Sequence, residues 1–321
     1  MRKQYARRMV VNLLDTLIDP IAPISFTKLG YKLRSYINSW EEFGGSDLTI
    51  AITGPTSGLG RQLAIELDAM GANLILVARN EPKLETLLTE LPGKDKHSTI
   101  LCDLTKPASI QSACKELNGL ENLDVLVHNA GTIFDSHSLI DGSEQTLFSH
   151  VIAPFALSAA ATPALTASQS GRIVYVASGG LYTQAVDIAD LDLAAKPEDF
   201  NGTRAYARAK RIQTIITSEA SKESPKPIQL AAHPGWVDTP GLEKLLPGFH
   251  KLLKPVLRTP SQGVDTIRWL ATTSVDNLTN GAFYHDREPR STSYIPGTRT
   301  SPSDSKEIYE IVKARAAKLT N

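Results

Sequence analysis

The chain has 321 residues, 41% of them hydrophobic, which is enough for a sizeable buried core and too many for a chain that stays disordered. Its 34 basic and 34 acidic residues cancel, so no global field draws it to nucleic acid, and the basic-plus-aromatic pattern of a nucleic-acid surface is missing. With only Cys102 and Cys114, no CxxC and no histidines at ligand spacing, a disulfide framework and a structural metal are excluded; a reducing, cytoplasmic setting is expected.

The first forty residues differ from the rest. Seven basic residues stand there against Asp15 and Asp19, and Met9, Val10, Leu13, Leu14, Leu17 and Ile18 recur at helical spacing. Residues 1–40 therefore read as a peripheral contact with an anionic membrane, as a targeting helix, or as a helix folded back onto the body of the protein. The first of these would place the chain on the cytosolic face of a membrane. No uninterrupted apolar run reaches bilayer-spanning length.

From residue 48 a regular pattern begins. Apolar strands are expected at 48–53, 72–78, 97–104, 123–131, 171–178, 228–235 and 281–286. Between them lie helical patterns: Leu59 to Gly71, a charged helix around Leu84 to Leu91, 107–119, about 142–167, and the helix carrying Tyr206 and Lys210. A helical run containing Trp269 and a last helix, 304–319, follow. Short apolar strands alternating with helices of ten or more residues predict a doubly wound, Rossmann-type parallel α/β sheet covered on both faces, as a single domain with an N-terminal helical extension. The expected division is an extension over 1–46, the sheet domain over 47–288, and a surface loop with the C-terminal helix over 289–321.

Between the first strand and its helix lies Thr53-Gly54-Pro55-Thr56-Ser57-Gly58-Leu59-Gly60. A helix amino terminus at the carboxyl edge of a parallel sheet presents free N–H groups and the positive dipole end to phosphate. Glycines at 54, 58 and 60 permit the tight turn, the approach of a diphosphate and close helix packing. The end of the second strand should discriminate between nucleotides. An acid there would hold the ribose hydroxyls of NAD, whereas this chain has Arg79, with Arg61 after the last glycine, which favours NADP(H) over NAD(H).

Ser178 ends one strand, and Tyr206 and Lys210 sit one helical turn apart in "AYARAK". Reduction of a carbonyl needs a proton for the developing alkoxide. Tyr206 is expected to donate it, Ser178 to orient the oxygen, and the Lys210 ammonium to lower the Tyr206 pKa while holding the nicotinamide ribose.

Taken in order, these motifs resemble the short-chain dehydrogenase/reductase family over roughly 48–286. The resemblance implies a cofactor loop at 53–60, an adenine-contacting pair in Asp103 and Leu104, a central motif in Asn129, Ala130 and Gly131, and catalytic Ser178, Tyr206 and Lys210. It also implies that the segment Pro234, Gly235, Trp236, Val237, Asp238 and Thr239 closes over the nicotinamide. The stretches YARAKRIQ and HPGWVDTPG are similar to members near the retinol-dehydrogenase-like enzymes, which implies NADP(H) and a small apolar carbonyl or alcohol substrate. A homodimer is a further family-level expectation. His150 stands where such enzymes usually carry an asparagine, and reads either as its replacement in a proton relay or as a space-filling residue. Residues 240–258 are expected to form a mobile lid with an apolar face, formed by Leu242, Leu245, Leu246, Phe249, Leu252 and Leu253. Two rival readings stay open: an NADP(H)-binding redox sensor or scaffold with weak catalysis, and a nucleotide-sugar epimerase or dehydratase, against which the 234–239 segment argues.

Overall fold

The structure, a computed structural model, describes residues 19–38, 40, 47–194 and 197–320. The hydrophobic pattern over residues 9–18 lies outside them. Eight strands form one sheet: β1 Thr49–Thr53, β2 Asn73–Ala78, β3 Ser98–Leu101, β4 Val125–His128, β5 Arg172–Val176, β6 Ile228–His233, β7 Phe283–His285 and β8 Glu288–Pro289. Their spatial order is β8-β7-β6-β5-β4-β1-β2-β3, parallel throughout except for β7 with β8.

Alternation along the strands divides the core. In β1 and β2, Ala51, Ile75 and Val77 point to one face, and Ile50, Ile52, Leu74 and Leu76 to the other. The first face is covered by α4 Pro107–Asn118, α5 Ala153–Ala167, α6 Gly202–Glu223 and α10 Pro302–Ala317; the second by α2 Gly58–Ala69, α3 Glu81–Glu90 and α9 Pro260–Thr272. This is the doubly wound, Rossmann-type sheet that the sequence predicts. The chain steps from β3 at one edge to β4 on the far side of β1, so the switch point at which ligands collect lies beyond the carboxyl ends of β1 and β4.

Expected boundaries shift where side chains take over backbone pairing. β3 stops at Leu101 because Asp103 turns the chain, its Oδ1 accepting from Thr105 N at 3.0 Å and from the Thr105 hydroxyl at 2.7 Å. The helix expected from 142 begins instead at Gln145, after a small hairpin of Leu139–Ile140 with Ser143–Glu144. Its turn, Asp141-Gly142, has positive φ at both residues, the geometry that an Asp-Gly pair favours. The run Gln145–Ala167 is, among the described residues, the one helix long and apolar enough to cross a bilayer, and it is largely buried in the core.

Two features lie at the ends of the sheet. Residues 288–289, at the boundary between the expected sheet domain and surface loop, pair with β7 through a tight turn at Asp286 and Arg287, both left-handed with φ of 53° and 60°. Non-glycine residues there cost ~1–3 kcal/mol each, and buried ion pairs hold both in place. In the extension, a helical turn Ala22–Ser25 and helix α1 Lys28–Asn38 fold back against the body, burying Ser25, Phe26, Thr27 and Arg34.

Candidate active site

The glycine loop leaves β1 at the switch point. Gly54 takes φ +67°, and a Cβ there would stand 2.9 Å from Ala130 Cα. At Gly60 a Cβ would lie 2.2 Å from Gly54 O, so these two glycines are required by packing. Gly58 differs: its φ is +53°, and the nearest atom to an added Cβ is Thr239 Cβ at 3.9 Å. The Ser57 side chain makes no capping bond to α2, which leaves the first-turn amides without a side-chain partner there, beside the open space between Gly58 and Thr239. A diphosphate fits this cradle by charge and by space, so the residues present suit a dinucleotide.

The central motif fixes the cradle from beneath. Asn129 Nδ2 donates to Thr53 O at 3.0 Å and to Gly54 O at 3.1 Å, and Thr53 Oγ1 accepts from the amides of Asn129 and Ala130. Arg79, after β2, is exposed, and Asp103 and Leu104, after β3, are half-buried. Burial would raise the Asp103 carboxyl, but the two Thr105 bonds and the charges of Arg79 and Lys106 outweigh it and hold the pKa below its ordinary value. Arg61 forms an ion pair with Glu90 on α3, beside a shallow groove that Thr56 and Lys83 also line. Lys83 is a third cation at this corner, one that the motif reading missed; only its place after the Asn80 cap of α3 could have pointed to it.

The chemical residues converge from two elements. Asn201 caps α6 by accepting from Arg204 N at 3.0 Å, which starts the helix at Gly202 and puts Tyr206 and Lys210 on one face. Small residues between them let the helix lie close to the chain after β5: an added Cβ on Gly180 would sit 3.4 Å from Ala207 Cβ. Two arginines of the same helix then fasten that excursion. Arg208 donates to the carbonyls of Asp187 and Asp190, and Arg211 to those of Leu181, Gln184 and Thr292. Ser178, at the base of the excursion, accepts from Gly180 N at 3.3 Å, and its side chain lies near enough to the Tyr206 phenol to lower that group's pKa.

Lys210 is buried, its Nζ donating to Val176 O at 2.7 Å and standing 5.3 Å from the centre of the Tyr206 ring. Desolvation pushes its pKa down to about 7. For Tyr206 the direction is opposite to the sequence expectation: burial raises the phenol, and the neighbouring Ser178 side chain pulls it back only in part. The reason is that the same burial which desolvates the phenol also depletes the ammonium meant to offset it.

His150 lies on a wide π-type turn, Phe148–Ile152, and stands edge-on to Tyr206 with ring centres 5.5 Å apart. Gly131 is bare for its sake, since a Cβ there would meet His150 Cε1 at 2.9 Å. Nε2 accepts from Thr132 N at 3.1 Å, so the proton of the neutral ring is assigned to Nδ1, which is buried without a partner. Desolvation, with the nearby Lys210 charge, lowers its pKa to about 3. The His150 carbonyl accepts from Gln213 Nε2 at 2.7 Å.

On the opposite wall the chain after β6 passes Pro234, Gly235, Trp236, Val237 and Thr239. Val237 is buried and bridges to Arg258; Thr239 caps α7 Pro240–Leu245. The segment expected to form a lid continues with α8 Pro247–Leu253, tied back by His250 Nε2 to Asp238 Oδ1 at 2.7 Å. Leu242, Leu246, Phe249 and Leu253 are half-buried and Leu252 is exposed; the side chain of Leu245 lies outside the described residues. His233 and His285, far apart in sequence, stack 4.8 Å apart, and the Gly179 amide donates to His233 Nδ1. Among the described residues no group of side chains could hold a metal ion.

Comparison with known proteins bears on the family and the fold. Residues 48–186 match the family described as short chain dehydrogenase. The bovine (Bos taurus) dehydrogenase/reductase SDR family member 12 is 31% identical over 308 residues, covering 92% of this chain and 95% of its own. Among solved structures, a short-chain dehydrogenase/reductase from Brucella melitensis superposes with a TM-score of 0.61 at 21% identity, covering 81% of this chain and 100% of that one. A short chain dehydrogenase from Escherichia coli CFT073, solved with NADPH, gives 0.60 at 22% identity, with coverage of 76% and 98%.

Proposed function

The chain belongs to the short-chain dehydrogenase/reductase family, as an oxidoreductase that transfers hydride with a nicotinamide nucleotide, and on that premise we propose that it interconverts apolar carbonyls and alcohols using NADP(H). The nucleotide, when bound, supplies or accepts the hydride. In the reducing direction Tyr206 donates a proton to the carbonyl oxygen and Ser178 holds that oxygen by a second hydrogen bond. Lys210 stabilises the phenolate left behind, and its own proton store, with a pKa near 7, is suited to restoring the phenol at neutral pH. The neutral ring of His150 positions the Thr132 amide and the edge of Tyr206.

One observation carries this reading: the Tyr206 phenol is influenced by the neighbouring Ser178 side chain while Lys210 lies against the same ring. The phosphorylated nucleotide is favoured by exposed Arg79, together with Arg61 and Lys83, at the corner where an NAD site would carry an acid. Half-buried leucines on the lid favour an apolar substrate. Pairing of two copies belongs to the same reading and is tested by sedimentation equilibrium, where a monomer at all concentrations would remove it.

The chain divides, on this reading, into an extension over 1–46, a catalytic domain over 47–288 with its lid at 240–258, and a terminal segment over 289–321. The extension is a candidate for peripheral contact with an anionic membrane. Support comes from Ile21, Ile24, Leu29, Leu33 and Tyr36, all exposed, beside Lys28 and Lys32. NADPH oxidation measured against a panel of apolar aldehydes and ketones tests the whole reading, and absence of turnover across the panel would contradict it.

A further inference from the structure

The geometry points to Phe26, on the N-terminal strap of residues 19–34, as a wall of the substrate site that sets which carbonyl compounds it admits. This rests on the oxidoreductase reading above and adds to it a residue that lies well outside the family's catalytic motifs.

Phe26 is buried at 4% exposure, although it belongs to a segment that precedes β1. Its ring lies directly behind the residue after Ser178: a Cβ on Gly179 would stand 2.8 Å from Phe26 Cε2. It stacks on Tyr182 at 6.1 Å and meets Trp236 edge-on at 5.7 Å; Trp236 in turn meets Phe249 of the lid at 5.1 Å. A continuous aromatic train therefore runs from the loop of Ser178 to the lid, and the strap supplies its middle ring.

The strap is fastened where it needs to be. Phe26 O accepts from Trp236 N at 2.7 Å and from Arg258 Nε at 3.1 Å, while Arg258 Nη2 donates to Ser25 O at 2.9 Å. Arg258 also grips Asp286 with two bonds of 2.6 and 2.9 Å, and Arg34 reaches the same carboxylate at 2.8 Å and Asp19 at 3.1 Å. All four charged side chains are buried. A fully paired buried network fixes geometry more than it adds stability, because every alternative placement strands a charge. Here it fixes the backbone on either side of Phe26, so the ring cannot drift to refill a gap.

Truncating Phe26 should therefore open a cavity beneath Gly179, bordered by Tyr182, His233 and Trp236, and the added width should benefit a bulky substrate more than a slender one. A residue that only supported the fold would change both alike.

The test uses the full chain with NADPH, and compares 2-naphthaldehyde with butanal. Phe26→Ala should raise the ratio of kcat/KM for the bulky over the slender aldehyde by about tenfold, with NADPH affinity unchanged. Phe26→Leu should shift it less in the same direction, and serves if the alanine variant does not fold. A ratio that stays within about twofold of the wild type in the folded variants, at unchanged NADPH affinity, overturns the proposal. If the wild type turns over neither aldehyde, the substrate reading fails separately; calorimetric affinities of the NADP⁺-loaded chain for the two corresponding alcohols then decide the wall by the same ratio.

Discussion

The Lys210 ammonium and the Tyr206 ring face each other across 5.3 Å, four residues apart on α6, with both groups desolvated. The ammonium titrates near pH 7 while the phenol is pushed above its ordinary range, so within the pair Lys210 is the group that changes charge near neutrality.

A pH dependence follows directly. Lys210 is protonated below about 7 and neutral above it, so carbonyl reduction should be fastest on the acid side and decline as pH rises through that value. His150, lowered to about 3, is neutral throughout and adds no inflection there. The pH profile of kcat for NADPH-dependent reduction by wild type and His150→Ala checks this. An inflection near neutrality that vanishes in His150→Ala would show that His150, not Lys210, is the titrating group.

Cofactor choice should reside at the end of β2. Replacing Arg79 with Asp removes a cation from the expected phosphate corner and adds a repelling charge. The ratio of NADPH to NADH efficiency should fall by about tenfold or more, in line with ~1.5–3 kcal/mol for a charge-assisted bond. An unchanged ratio in Arg79→Asp would leave the preference to Arg61 and Lys83 or remove it.

Anchoring of the strap is measurable as stability. Arg34→Met leaves the Asp286 carboxylate with one arginine fewer in a buried site, at a cost of ~3–5 kcal/mol. Burial alone would raise the Asp286 carboxyl, but Arg258, His285 and Arg34 hold it far below the carboxylate range. The stabilisation is therefore fully present above the unfolded pKa of ~4 and fades as pH falls below it. Urea unfolding should show a constant difference between wild type and variant from mildly acidic to neutral pH, narrowing in stronger acid. A difference under ~0.5 kcal/mol at neutral pH, the size of an ordinary surface substitution, would mean that the strap is not held by this network.

Membrane contact is separable from the strap's internal role. Deleting residues 1–40 would remove Phe26 and Arg34 and confound the two, whereas Leu29 and Leu33 are exposed. Co-sedimentation with phosphatidylserine vesicles should fall when both are changed to serine, and should weaken with salt. Equal sedimentation of wild type and double variant would contradict a contact made through α1.

The sheet was legible because its strands are short apolar runs punctuated by helices, and the site because Gly54 to Gly60, Asn129 to Gly131, Ser178 and the Tyr206–Lys210 pair lie at strand ends or on one helix. What escaped was long-range and electrostatic. Nothing near Phe26 signals that Gly179, more than 150 residues on, leaves room for its ring. Nor does an isolated Arg34 or Arg258 disclose that both will converge on Asp286. The direction of the Tyr206 shift was also illegible, because it depends on how far the fold buries the lysine as well as the phenol. The Asp141-Gly142 hairpin, by contrast, carried a local signal that the helical pattern beyond it obscured.

Transfer of a proton from the Tyr206 phenol is tested most directly by single-turnover NADPH oxidation in Tyr206→Phe with an aldehyde that the wild type reduces, alongside NADPH binding by fluorescence. The account predicts binding close to wild type and a rate lowered by ~10²-fold or more, the range expected for loss of a general acid. A rate within a few-fold of the wild type would contradict it.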